Sequence, residues 1–165
     1  MKKSILILGA AMMSLALLQN ALAQTGTQAV NLSVGKVYRV AITGAATITL
    51  AINAGIAGTN ALTAVTDGTT TYAITQNNSA ATHITANLDA AMPKGKLQIA
   101  LASSLGTTSG TVDITSAIAA SAATVVTAIH LGAEAGKSIT YTFSANASEG
   151  LLLATSKTVT LTVVD

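Results

Sequence analysis

Nucleophiles, acids, bases and metal ligands are sparse in this chain. It has two histidines, His83 and His130, and no cysteine. A zinc site takes three or four ligands from His, Cys, Asp and Glu, and neither histidine has a second ligand at helical spacing. His83 falls on the polar side of an alternating run and His130 at the end of one, both ordinary surface positions. The carboxylates stand singly. Asp67-Gly68 and Asp89 read as turn residues, Asp113 as an outward residue of a short strand, and Glu134 and Glu149 as loop residues. Asp67 with carbonyl oxygens leaves calcium open as one metal chemistry, but without the run of acidic ligands that calcium loops carry. Gly132-Ala133-Glu134-Ala135-Gly136-Lys137-Ser138 approaches a phosphate-binding loop. That motif needs four residues between its glycines and must open a helix; here three intervene and a strand pattern follows. Gly-x-Ser-x-Gly is absent, and a Ser-His-Asp set would have to be assembled from distant loops. The expectation is a protein that is not an enzyme, with no catalytic residue, no cofactor and no metal.

Hydroxyls are plentiful, and they lie where strands must place them. Ile139, Tyr141 and Phe143 alternate with Ser138, Thr140, Thr142 and Ser144; Val159, Leu161 and Val163 alternate with Thr158, Thr160 and Thr162. A period of two gives each strand one apolar face and one hydroxylated face. The spacing predicts a terminal hairpin from Lys137 to Asp165, with its threonines side by side on one sheet face and Tyr141 and Phe143 nucleating the core. Its connector, Asn146 to Ser156, holds Leu151, Leu152 and Leu153, which should tuck under the sandwich.

The first 23 residues read as a signal peptide. Lys2 and Lys3 form a basic start, Ile5 to Leu18 an apolar run, and Ala21-Leu22-Ala23 a small-x-small cleavage site that makes Gln24 the first mature residue. Lys2 and Lys3 account for the whole formal charge of +2; the other six basic residues balance six acidic ones. A neutral mature chain has no electrostatic case for binding nucleic acid, and its low self-repulsion favours association. No later stretch is long and apolar enough for a membrane span. One Phe and three Tyr cannot supply the two aromatic girdles of an outer-membrane barrel. Residues 24–165 are read as a single domain, and a domain of about 150 residues can bury a sizeable core.

Along that domain, short alternating runs separated by glycines are the all-β pattern. Strands are expected at Val30, Leu32 and Val34; at Tyr38, Val40 and Ile42; and at Ile48, Leu50 and Ile52. Asn53 to Thr70 reads as a long crossover loop, Tyr72 and Ile74 as a strand start, and Gln76 to Ala81 as a polar turn. Further strands follow at Ile84 to Leu88, Leu97 to Leu101 and Val112 to Ile114, with a proline turn at Pro93-Lys94-Gly95 and a loop from Ser103 to Gly110. Ala117 to Ala123 suits a helical turn, Val125 to Ile129 a strand, and Gly132 to Gly136 a loop. The sum is about nine or ten strands in a two-sheet antiparallel sandwich, taken as immunoglobulin-like with Greek-key connections.

Thr71-Tyr72-Ala73-Ile74-Thr75, His83-Ile84-Thr85-Ala86, Met92-Pro93-Lys94-Gly95 and Ile139-Thr140-Tyr141-Thr142-Phe143 resemble a group of secreted bacterial β-sandwich proteins. More loosely, the pattern is similar to surface-fibre and coat subunits with an immunoglobulin-like fold. The leader implies a secreted or cell-surface protein, with the periplasm a further destination, and low charge, small side chains and hydroxyl faces suit partners that are copies of itself or another surface protein. The expected role is a structural subunit of the cell surface or extracellular matrix (fibre, coat or biofilm component), self-assembling by strand addition through Val30, Leu32 and Val34. The alternative is a secreted binding module or adhesin that recognises carbohydrate or a protein through the loops Asn53 to Thr70 and Ser103 to Gly110.

Overall fold

The computed structural model describes residues 27–165. The proposed leader, with Ala21, Ala23 and Gln24, lies outside the described residues. The chain divides into two units, Met1–Val34 and Gly35–Asp165. In the first, residues 27–34 carry no strand, so the strand expected at Val30 to Val34 is not formed. Val30, Leu32 and Val34 are 68%, 88% and 86% exposed.

The second unit is all-β, with nine strands: β1 Tyr38–Thr43, β2 Val65–Gln76, β3 Thr82–Leu88, β4 Lys96–Leu101, β5 Thr107–Thr108, β6 Val112–Asp113, β7 Ala123–Ile129, β8 Gly132–Ser144 and β9 Val159–Val164. They form a five-stranded sheet in the order β1-β2-β8-β4-β6 and a four-stranded sheet in the order β5-β7-β3-β9. Every strand pair is antiparallel. From β2 onward each connection passes from one sheet to the other, so β1 and β2 are the only consecutive strands that pair. No helix among the described residues is long and apolar enough to cross a membrane.

The period of two explains the core. Tyr72 and Ile74 of β2, Leu97, Ile99 and Leu101 of β4, and Ile139, Tyr141 and Phe143 of β8 point inward from the larger sheet. Ile84, Ala86 and Leu88 of β3, Val125, Val126 and Ile129 of β7, and Leu161 of β9 meet them from the smaller one. Aliphatic and β-branched side chains fill this layer, as a chain with so few aromatics requires. Gly95 turns the chain into β4 with φ 71°, beneath the Phe143 ring. A Cβ there would lie 2.6 Å from that ring, so the tight proline-glycine turn is also a packing necessity.

Several expectations are corrected. The terminal hairpin does not form: β8 sits between β2 and β4, while β9 pairs with β3 in the other sheet. The connector between them passes from one sheet to the other instead of returning β9 alongside β8. The threonines of β8 and β9 therefore lie on different sheets and make no common array. Gly132 to Gly136 is strand, because it continues the β2 ladder to Gln76 opposite Gly132. Ile48, Leu50 and Ile52 do alternate and are half-buried against the core, but no strand among the described residues pairs with them. Residues 65–70, expected in a loop, begin β2; a bulge between Asp67 and Thr70 hides their strand character. There Asp67 accepts hydrogen bonds from the Thr69 N–H at 3.1 Å and hydroxyl at 3.0 Å. The helical turn and strand expected between Ala117 and Ile129 are present, as a 3-10 turn at Ala119–Ser121 and as β7. Of the three leucines, Leu152 packs against the core, whereas Leu151 and Leu153 are exposed.

Candidate functional site

The densest polar cluster is built on Glu134, a residue of β8 opposite Ile74 of β2. Its carboxylate accepts from the Ser104 N–H at 2.6 Å, the Ser103 hydroxyl at 2.8 Å, the Tyr72 hydroxyl at 3.1 Å and the Leu105 N–H at 3.2 Å. Lys137 Nζ lies 3.9 Å away and also donates to Ser104 Oγ. Burial alone would raise this carboxyl; the donors around it outweigh burial and hold it below the usual carboxylate range. Burial, with the neighbouring Glu134 charge, pushes the Tyr72 hydroxyl well up. A carboxylate so fully engaged is a poor proton acceptor. What it does is pin the loop after β4 across the ends of β2 and β8.

A second cluster gathers at the sandwich margin where β1 meets β9. The Asp165 carboxylate accepts from Lys36 Nζ at 3.2 Å, Asn78 Nδ2 at 2.9 Å and the Tyr38 hydroxyl. The hydrogen bonds from Tyr38 and then Lys36 hold the Asp165 carboxyl low, and the same contact with Asp165 raises both donors. Just beyond, Asn77 grips the approach to β1 three times. Its Oδ1 accepts from the Val37 N–H at 2.7 Å, its Nδ2 donates to the Gly35 carbonyl at 2.8 Å, and its own N–H donates to the Val37 carbonyl at 3.3 Å.

This margin is an unfinished sheet. Tyr38, Val40 and Ile42 are opposite Gln76, Ile74 and Tyr72, so they share the core face of the sheet. Their partners on β2 are buried, yet Tyr38 and Val40 are only half-buried and Ile42 is 46% exposed. Among the described residues β1 pairs with β2 alone, and no strand lies on its other side.

Two concavities border the expected binding loops. One, of about 480 Å³, opens beside Leu101, Ser103, Thr108, Thr111, Ser138 and Thr140. It lies where the short β6, paired only with Gln98 and Ile99, leaves Ala100 and Leu101 of β4 uncovered. The other, about 240 Å³, lies among Leu62, Lys96, Asn146 and Glu149. Neither contains a tyrosine. Tyr72 is fully buried, so it offers no sugar platform.

The remaining sequence candidates stay apart. His83, on the interior strand β3, pairs opposite Val164 of β9, His130 is exposed just past β7, and Asp113 faces Lys96 at 3.5 Å. Asp89 caps the Thr158 N–H at 3.1 Å. No group of three His, Cys, Asp or Glu residues that could hold a metal occurs among the described residues. Sequence reasoning missed the Glu134 cluster, since only the topology brings residues 72, 103–105 and 134 together. It also missed the open side of β1, although the alternation of Tyr38, Val40 and Ile42 was visible. Compared with family models, curated proteins and solved structures, the chain matches none.

Proposed function

We propose that the protein is an exported, non-enzymatic structural subunit of the bacterial cell surface or extracellular matrix that associates with copies of itself by strand addition. The observation that carries this reading is the segment Val30 to Val34. Three apolar side chains at alternating positions stand 68–88% exposed outside any strand, and among the described residues β1 has an unpaired side. Exposed alternating residues and an open sheet edge are the two halves of β-augmentation. The near-neutral charge after leader removal, six basic against six acidic residues, adds little repulsion between copies. The leader-like start supports secretion to the surface or medium, or into the periplasm. The sheet-to-sheet connections support an immunoglobulin-like sandwich with Greek-key crossings as the finer description of the fold.

The test is the size distribution of the protein across a concentration series, by light scattering and negative-stain microscopy. The intact protein should grow with concentration, and a deletion of Gln24 to Val34 should leave folded monomers. Assemblies that survive this deletion unchanged would refute strand addition. A second reading, a binding module or adhesin for carbohydrate or protein, is favoured by the concavity of about 480 Å³ beside the Ser103–Gly110 loop. A strict monomer that retains a glycan or protein ligand, and loses it on Thr108 or Thr111 substitution, would establish that reading instead.

A further inference from the structure

The open side of β1 specifies its occupant, given the strand-addition reading above. Backbone groups of an antiparallel strand alternate between its two neighbours. Val37 bonds to Asn77 on the β2 side, so Arg39, Ala41 and Thr43 also turn toward β2 in the register of 37 opposite 77. Tyr38, Val40 and Ile42 therefore direct their N–H and C=O groups to the open side, while their side chains lie on the core face. A strand added there must set inward side chains opposite those three residues. Val30, Leu32 and Val34 have that spacing and are apolar. The antiparallel register places Val34 opposite Tyr38, Leu32 opposite Val40 and Val30 opposite Ile42, covering the core-face residue left most exposed.

That register could in principle be made within one chain, as a hairpin closed by Gly35, Lys36 and Val37. The structure holds those residues otherwise. Asn77 bonds the Gly35 carbonyl at 2.8 Å and the Val37 N–H at 2.7 Å, and Lys36 is tied to Asp165 at 3.2 Å. None of the three lies in a turn. Held in these bonds within the second unit, Gly35 to Val37 do not form the turn a hairpin needs, so the pairing is assigned to a second copy. Donor and acceptor flank one hinge, so exchange in both directions completes both margins about a two-fold axis.

We propose that two copies of this chain form a reciprocal dimer in which residues 30–34 of each complete the β1 edge of the other. The apolar surface supports the size of such an interface. A buried aliphatic side chain removes roughly 60–120 Å² from water. Six donor side chains and the surfaces they cover then come to roughly 700–1,400 Å², a range that spans the roughly 1,200 Å² at which stable interfaces begin.

The absence of native cysteine makes the test direct. In this register Asn31 and Ala41 are an outward, non-hydrogen-bonded pair, with Cα atoms about 4.5 Å apart, inside the disulfide range. Both positions are exposed, so substitution should not disturb folding. The full-length protein is expressed with its own leader as Asn31→Cys, as Ala41→Cys and as the double variant. Mixing the two single variants under mild oxidation should give a disulfide-linked dimer that neither gives alone, and the double variant should run as a linked dimer. A double variant that closes into an internally bridged monomer overturns the exchange in favour of a hairpin. Linkage of Asn31→Cys to Thr160→Cys on β9, and not to Ala41→Cys, overturns the choice of edge but keeps strand addition. Protein that is larger than a monomer by light scattering yet forms no link overturns the exchange alone. A monomer at all concentrations overturns the exchange and self-assembly together.

Discussion

Glu134→Ala is the substitution with the most to reveal about what holds the loop end of this sandwich. The side chain is 5% exposed and satisfies the Ser104 and Leu105 amides and the Ser103 hydroxyl. Tyr72 loses less, because its hydroxyl also donates to the Ala102 carbonyl at 2.7 Å. Hydrogen bonds to a charged group contribute about 1.5–3 kcal/mol each, and stranded donors cost about 1–3 kcal/mol. Ser104 is exposed and can take water, so the two donors left stranded, the Ser103 hydroxyl and the Leu105 N–H, cost about 3 kcal/mol together. Against a typical stability of about 5–15 kcal/mol, that is a large share. In urea unfolding, the midpoint should fall with the slope unchanged, and the Ser104 and Leu105 amides should exchange faster with solvent. The sign with pH also follows. A carboxyl held below its usual range stabilises the fold fully above its unfolded pKa of about 4.3. The contribution is lost as pH falls through the folded value. The gap between wild type and Glu134→Ala should therefore close on acidification below about pH 4. A loss under about 1 kcal/mol, or a gap that widens in acid, would refute the argument that this carboxylate is the loop's anchor.

Two other substitutions probe the interior by stability in urea. The Thr82 hydroxyl is buried with no hydrogen-bond partner among the described residues, so Thr82→Val, with a methyl in its place, should gain about 1 kcal/mol; a loss would mean the hydroxyl is satisfied. A Cβ at Gly106 would lie 2.8 Å from Ile129 Cγ1, the Thr127 carbonyl oxygen and Val126 Cγ1, so Gly106→Ala should lose about 1–3 kcal/mol through overpacking, and an unchanged midpoint would show that the loop simply lifts away.

Strand identity was legible in the sequence wherever alternation was uninterrupted, as at Tyr38 to Ile42, Ile84 to Leu88 and Leu97 to Leu101. It failed where alternation was necessary but not sufficient. Ile48, Leu50 and Ile52 bury one side each, yet a ladder also needs a backbone neighbour, which no local pattern reports. Gly132 to Gly136 looked like a loop because small residues and two glycines mask a strand whose reality comes from pairing with β2. The terminal hairpin was inferred from proximity in sequence, and proximity says little when the connector is long enough to reach the other sheet. The polar clusters were illegible for the same reason. Ser103, Glu134 and Tyr72 share nothing in one dimension, while Asn77 and Asp165 look like incidental loop and end residues.

The sheet-to-sheet path of the chain has a consequence for how the protein comes into being. After β2, no strand finds its partner next door in sequence, so there is no local hairpin to form early and wait. β2 and β4 flank β8, which means residues 65–76 and 96–101 stay unbridged until residues 132–144 have emerged. All-β proteins of such non-local wiring fold in milliseconds to seconds. A chain threaded lengthwise through a membrane would therefore stay pliable for most of its passage, and the sandwich would close only when nearly all of it was on the far side.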